Sequence, residues 1–133
     1  MPRVGSALTG FDVVESDEAV RVEVWGFWGK EVADLFAPTV VEACRAARSP
    51  VRLLVDASAF KPQREEGQAA FRDMMIGSAR CGVQRAVMIV TNAITKLQLA
   101  RIATENGAGS WSFVASQAAA STALAMPQTK SRS

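Results

Sequence analysis

The sequence predicts a single α/β domain built on a mixed β-sheet that is parallel through its middle. The chain has 133 residues, about the length of one domain. Its composition, 49% hydrophobic and 21% charged, is typical of a globular protein. Strand-length apolar segments alternate with segments whose apolar residues recur every three or four positions. This alternation indicates parallel strands joined by helical crossovers.

The first two predicted strands form an antiparallel hairpin. Residues 1–10 have few periodic apolar residues, so we interpret them as a flexible N-terminal arm. Residues 11–16 then alternate weakly, and residues 19–25 alternate cleanly, with Val20, Val22 and Val24 on one face. We therefore expect a hairpin that buries one face and exposes the other.

A helix and a buried strand follow the hairpin. From Lys30 onward the apolar residues recur at helical spacing. Pro38 within this segment predicts a kink or a break, because proline has no backbone donor. Residues 51–56 are then almost continuously apolar, which is typical of a strand covered on both faces. We place this strand at the centre of the sheet.

The alternation continues with a second helix, a second buried strand over residues 85–90, and a third helix. Gly82 stands where glycine commonly ends a helix, and Asn92 offers an N-cap for the third helix. The residues expected on the buried face of the second helix are Ala70, Phe71, Met74, Met75 and Ser78, and those expected on the third are Ile94, Leu97, Ala100 and Ile102.

A short strand and a small alanine-rich helix complete the predicted domain. The strand covers residues 111–114, and Ser116 is placed to cap the helix that follows. The domain therefore spans residues 11–125, and we expect residues 126–133 to be a disordered C-terminal tail.

Most catalytic chemistries lack their residues in this sequence. The chain has no histidine, the commonest general base and metal ligand, and no tyrosine. No Gly-x-Ser-x-Gly motif occurs, and the glycines of residues 26–29 have the wrong spacing for a phosphate-binding loop. We therefore expect no enzymatic activity, no catalytic residue, no metal site and no cofactor.

Cysteine usage and charge indicate a cytoplasmic protein. Cys44 and Cys81 fall in predicted helices, so we interpret them as core groups in a reducing compartment. The 15 basic residues are scattered and the net charge is only +2, which argues against a nucleic-acid partner. No apolar run approaches the roughly 20 residues of a membrane span. No export signal begins the sequence.

Two features have both a structural and a functional interpretation. Asp56 ends the central strand, where open α/β sheets often bind ligands, although a carboxylate there also serves to cap a turn. Trp25, Phe27 and Trp28 stand where the second strand leaves the sheet. They either cover the end of the core or include an exposed anchor for a partner or a second subunit, since interfaces are rich in such residues.

Four short segments, in this order and spacing, carry a resemblance to a known fold. They are residues 26–28 (Gly-Phe-Trp), 52–60 (Arg-Leu-Leu-Val-Asp-Ala-Ser-Ala-Phe), 85–87 (Arg-Ala-Val) and 97–101 (Leu-Gln-Leu-Ala-Arg). Together they resemble the STAS domain, the fold of the sporulation anti-anti-sigma factors. More narrowly, residues 11–125 are similar to the SpoIIAA-like, or STAS/SEC14-type, family of small bacterial proteins.

The resemblance implies a non-catalytic regulatory module that binds a protein partner, such as an anti-sigma-like regulator, near the second helix. On this sequence the candidate partner-binding residues are Asp56, Ser58, Lys61 and Arg64, with Trp28 as a neighbour. SpoIIAA-type regulators are switched by phosphorylation of a serine in the turn that opens this helix. Residues 60–65 contain no serine or threonine, so the usual switch lacks its residue, and Ser58 is the nearby candidate for phosphorylation.

Two other binding functions stay open. The SEC14-type similarity, with Met74, Met75 and Met88 in the predicted core, favours a small apolar ligand, although methionines also fill gaps in ordinary cores. The other is a homodimer formed through an exposed aromatic patch.

Overall fold

Strands and helices alternate along the chain in the computed structural model, which describes residues 3–16, 19–47, 51–106 and 111–125. The strands are β1 (Arg3–Gly5), β2 (Gly10–Glu15), β3 (Val20–Gly26), β4 (Val51–Phe60), β5 (Val83–Ile89) and β6 (Trp111–Val114). The helices are α1 (Lys30–Ala46), α2 (Glu65–Arg80), α3 (Ala93–Glu105) and α4 (Gln117–Ala125). The predicted tail, residues 126–133, lies outside the described residues.

All six strands belong to one sheet, and their order in space follows their order in the chain. β2 pairs antiparallel with both β1 and β3. β4 pairs parallel with β3 and β5, and β6 pairs parallel with β5. The predicted fold class is therefore confirmed: a mixed sheet with an N-terminal antiparallel hairpin, followed by βαβ units with helices packed on the sheet.

Three helices cover one face of the sheet, and the fourth covers part of the other face. α1, α2 and α3 enclose the main core with the inward side chains of β2 to β5. α4 contacts β4, β5 and β6 on the opposite face. The small core on that side consists of Leu54, Val87, Ile89, Ala120 and Leu124. On the same side of β3, Arg21 and Glu23 are exposed, because α4 does not extend over this strand.

Several local predictions are confirmed. Val20, Val22 and Val24 are buried, and so are all five residues expected on the inner face of α2. Gly82 adopts a left-handed φ of 86° directly after α2. The Asn92 side chain accepts two backbone hydrogen bonds, each of 2.9 Å, at the start of α3.

The segment predicted as a flexible arm contains the edge strand β1. Arg3 pairs with Asp12 and Gly5 with Gly10, so this segment is part of the sheet. The Arg3 guanidinium lies 4.7 Å from the centre of the Trp25 ring and 3.7 Å from the Asp12 carboxylate. A strand of three residues has no periodicity that a sequence pattern can show, and these side-chain contacts hold it in place.

Of the kink or break expected at Pro38, the break does not occur, because α1 is one continuous helix from Lys30 to Ala46. α3 differs from expectation. In α3, Ile94 and Leu97 were expected in the core but are 60% and 71% exposed, while Thr95 and Leu99 are buried. The face that packs on the sheet is instead formed by Thr95, Leu99, Ile102 and Ala103, and the Thr95 hydroxyl donates to the carbonyl of Phe60 at 3.2 Å.

Candidate functional site

The candidate site lies at the end of the sheet where the parallel strands β3 and β4 finish and the helices begin. In open α/β sheets this is the usual position of a binding site, because loops from neighbouring strands converge there. Residues 61–64 connect β4 to α2, and residues 27–29 connect β3 to α1. The backbone N–H of Lys61 donates to the carbonyl of Gly26 at 3.1 Å, so the two connections are in direct contact.

One buried amide, Gln63, ties these connections together. Its Nε2 donates to the carbonyls of Gly26 at 3.1 Å and Lys61 at 2.7 Å. Its Oε1 accepts from the backbone N–H of Trp28 at 3.0 Å. Its own backbone N–H and carbonyl are both bonded to the side chain of Gln98 in α3, at 2.7 and 3.0 Å. Because its polar groups are satisfied in a buried position, Gln63 holds the loops rigidly.

Trp28 occupies the centre of the core beneath these loops. Its side chain is 1% exposed, and its indole Nε1 donates to the carbonyl of Gly10 at 3.1 Å. The ring contacts four other aromatic rings, with centroid distances from 4.7 to 5.7 Å, namely Phe11, Phe36, Phe60 and Phe71. Trp28 therefore offers no surface to a partner, although it was predicted as a neighbour of the partner-binding residues. Its burial agrees with the other interpretation, in which these aromatic residues cover the end of the core.

Four exposed side chains surround this end of the domain, and we call them the carboxyl-end patch: Leu8, Phe27, Lys61 and Arg64. Leu8 is 85% exposed and Phe27 is 43% exposed. The Arg64 guanidinium lies over the Phe27 ring, 5.5 Å from its centre. The backbone of Leu8 packs against Gly26. This close approach of two backbone segments requires glycine, which has no Cβ and here adopts a left-handed φ of 77°. The patch thus combines two apolar groups with two positive charges.

Asp56 and Ser58 lie on the α4 side of the sheet, away from Lys61 and Arg64. One oxygen of Asp56 accepts from the Ser58 hydroxyl at 2.6 Å and from its N–H at 3.0 Å. The other accepts from the Gln117 side chain at 3.0 Å, at the first residue of α4. The structure therefore separates the predicted partner-binding residues into two groups. Asp56 also does not end the strand, contrary to the prediction from the sequence, because β4 continues to Phe60; its carboxylate bonds to Ser58 within the same strand and to Gln117.

Metal-binding clusters and reactive thiols are the chemical groups that the described residues allow us to assess. In the part of the chain that the structure describes, no cluster of three or more Cys, Asp or Glu side chains is placed to hold a metal ion. Burial, followed by the nearby Cys81 and Glu15, raises the pKa of the Cys44 thiol to about 12. Cys44 therefore stays protonated at neutral pH and is a weak nucleophile. None of the described helices has the length and apolar character needed to cross a membrane.

The architecture has a close counterpart among solved structures. A protein of the DUF3478 family from Shewanella loihica PV-4, described as uncharacterized and as having a SpoIIAA-like fold, superimposes with a TM-score of 0.63. The match covers 91% of this chain and 98% of the other, at 15% sequence identity. This chain has a SpoIIAA-like fold. At this identity the similarity shows the fold alone. No family model matches the sequence, and no curated protein matches it either.

Sequence reasoning missed two parts of the site. Gln63 was not among the predicted site residues, because no pattern distinguishes a buried glutamine from an exposed one. Leu8 fell in the segment assigned to the arm. A signal for Phe27 was present, because an exposed anchor was one of the two interpretations of the aromatic residues 25–28, but the sequence could not show which of the three rings would be exposed.

Proposed function

We propose that this SpoIIAA-like domain is a non-catalytic, cytoplasmic regulatory module that binds a protein partner through the carboxyl-end patch. The observation that carries the proposal is the exposure of Phe27 beside Arg64, at the end of the sheet where binding sites of open α/β folds lie. Leu8 and Lys61 extend this surface. Aromatic and arginine side chains are the residues that most often dominate binding energy at protein interfaces.

Rigidity of the patch supports the same function. Lys61 and Arg64 flank Gln63, whose hydrogen bonds hold the loop against β3 and α3. A surface that is already ordered loses little conformational entropy on binding. The two positive charges favour a partner that presents carboxylates around an apolar residue. An anti-sigma-like regulator is the partner class that the fold suggests, by analogy alone.

We also propose Ser58 as a candidate for phosphorylation. Its hydroxyl is exposed and donates to Asp56, so a phosphate would place a dianion against a carboxylate. We expect this repulsion to loosen the contact between Asp56 and Gln117 at the start of α4. Phosphorylation at Ser58 would therefore act on α4, on the other side of the sheet from the carboxyl-end patch.

A small apolar ligand has less support than a protein partner. Met74, Met75 and Met88, on which that alternative depends, are each fully buried in the continuous main core. The grooves beside α4, between α1 and α2, and at the end of α2 are lined by other described residues and by none of these methionines. The three side chains are therefore better explained as core packing.

The test is affinity capture from a native extract of the source organism, followed by binding measurements on each candidate. Phe27→Ser and Arg64→Glu remove the central apolar and charged groups of the patch, and Leu35→Ser is the matched control. Leu35 is 50% exposed, but it lies on α1 outside the patch. We expect one protein to bind the wild type and Leu35→Ser with similar affinity, and to bind each patch variant at least roughly tenfold more weakly. A protein that binds all four forms equally, or no specific protein at all, would contradict the proposal.

A further inference from the structure

The helix α4 is held to the sheet by few buried side chains. Of its nine residues, only Ala120 and Leu124 are buried, and most of the others are exposed. The helices α1 and α2 each bury at least five residues, including a phenylalanine. A helix of nine residues is too short to be stable alone in water, so α4 depends on its contacts with the sheet. One leucine and one alanine provide only a weak apolar contact.

The surface beneath α4 is strongly apolar, and we call it the covered strip: Leu54, Val87 and Ile89. Leu54 and Val87 are register partners on β4 and β5, and each of the three side chains is at most 2% exposed. The helices α1, α2 and α3 enclose the main core on the opposite face. Among the described elements, α4 is therefore the one that shields the covered strip from water. Its departure would expose this strip and leave the main core closed.

Polar side chains fasten the first residue of α4 to the sheet. The Gln117 Nε2 donates to one oxygen of Asp56 at 3.0 Å, and the Arg21 guanidinium donates to the Gln117 Oε1 at 3.4 Å. The other oxygen of Asp56 accepts from the Ser58 hydroxyl at 2.6 Å. Within the described part of the chain, Asp56 forms no ion pair with a basic side chain. A new negative charge beside Asp56 would therefore meet a carboxylate that no bound cation neutralises.

We propose that α4 is a detachable cover, which opens as a unit and exposes the covered strip, and that phosphorylation of Ser58 favours the open form. The second part rests on the proposed phosphorylation of Ser58, whereas the first does not. A protein kinase transfers the γ-phosphoryl group of ATP to the Ser58 oxygen, with loss of the hydroxyl proton and release of ADP. This oxygen then has no hydrogen to donate to Asp56, and a dianion faces the carboxylate. The carboxylate moves away from the phosphate, and Gln117 loses its acceptor.

The dipole of α4 does not reverse this effect. A negative charge near the N-terminus of a helix is stabilising, but Asp56 already places one beside Gln117. The Ser116 hydroxyl already caps the helix, because it accepts from the N–H of Ala119 at 3.1 Å. The phosphate therefore adds charge behind a carboxylate that is already in position, and repulsion between the two anions dominates.

Hydrogen exchange of the full chain in increasing urea, read residue by residue by NMR, tests the detachable cover. We expect the protection factors of residues 120–125 to be at least roughly a hundredfold lower than those in the middle of α2. Exchange in α4 should also depend weakly on urea, because a local opening exposes far less surface than global unfolding. Equal protection and an equal urea dependence in the two helices would overturn the proposal, since α4 would then open only when the whole domain unfolds.

Two altered proteins test how α4 is fastened: one with phosphoserine incorporated at position 58, and Gln117→Met, which keeps a long side chain of similar helix propensity. We expect both to lower the protection factors of α4 at least roughly fivefold and to bind more of a hydrophobic dye, with α2 unchanged. Gln84→Glu adds a negative charge at an exposed position of β5 and should leave α4 unchanged. Unchanged or higher protection of α4 in the phosphorylated protein would overturn the role of Ser58.

These measurements are independent of partner binding. None of the altered residues belongs to the carboxyl-end patch, and the Phe27 and Arg64 variants that test the patch do not touch α4. Loss of partner binding in those variants together with a firmly held α4 would overturn the detachable cover alone. A readily opening α4 in a protein that captures no partner would overturn the proposed partner binding alone.

Discussion

Single residues decide the geometry of the candidate site, and Gln63 is the one with the most connections. Its side chain bonds to the end of β3 and to its own loop, while its backbone bonds to α3. Gly67, one turn into α2, has no Cβ, and an added Cβ would collide with the Gln63 side chain. The loop between β4 and α2 therefore depends on a glutamine and a glycine that fit each other.

Replacement of Gln63 by leucine should destabilise the domain by about 2–4 kcal/mol. The change removes three side-chain hydrogen bonds and leaves the buried N–H of Trp28 without its acceptor. Urea unfolding measures the free energy, and Gln84→Leu, at an exposed glutamine of β5, should cost less than about 0.5 kcal/mol. Similar losses in the two variants would show that the Gln63 network does not hold the loop.

Cys44 gives the domain a pH dependence at alkaline pH. Its pKa is raised from an ordinary 9.0 to about 12 in the folded state, mainly by burial. The thiol therefore ionises first in the unfolded chain, so its contribution to stability is complete below pH 9 and is lost as the pH rises toward 12. Between pH 8 and pH 10, under reducing conditions, the wild type should lose about 1.4 kcal/mol more unfolding free energy than Cys44→Ala. Equal losses in the two proteins would contradict the raised pKa.

At the scale of secondary-structure elements, the sequence predicted best those elements whose two sides differ strongly. The continuous apolar run at the start of β4 predicted a buried strand, and the apolar spacing in α2 predicted five buried residues. The structure confirms both predictions. α3 has apolar residues on more than one side, so periodicity alone could not show which side faces the sheet. The side that faces the sheet includes a threonine, Thr95, whose hydroxyl bonds to the carbonyl of Phe60, 35 positions away and beyond the reach of a local pattern.

The start of α3 depends on its cap. Asn92 accepts from the N–H groups of Ile94 and Thr95, which otherwise have no acceptor within the helix. Asn92→Ala should reduce the free energy of unfolding by about 1 kcal/mol, whereas Asn92→Asp keeps the acceptor oxygen and should stay near the wild type. Thermal and urea unfolding of the three proteins provide the comparison. A loss in Asn92→Asp as large as in Asn92→Ala would indicate that the amide, not the cap, is what matters.

At the scale of the whole molecule, the candidate site could be predicted only in part. Lys61 and Arg64 were placed correctly near the start of α2, since their position follows from the order of strands and helices alone. Asp56 and Ser58 were assigned to the same surface as Lys61 and Arg64. They are two residues apart on β4 and therefore share one face of the sheet, which is the face that α4 covers. Predicting that separation requires the strand register, including the irregularity between Glu23 and Trp25 where β3 pairs with β4.

The sheet order also has a consequence for how the protein is made. Each strand pairs with the strand that precedes it in the chain, from β1 to β6. As the ribosome extends the chain from its N-terminus, each new strand can therefore join the edge of a sheet that already exists, and no gap has to be held open for residues not yet synthesised. Because only successive strands pair, each parallel connection encloses one helix and no other strand.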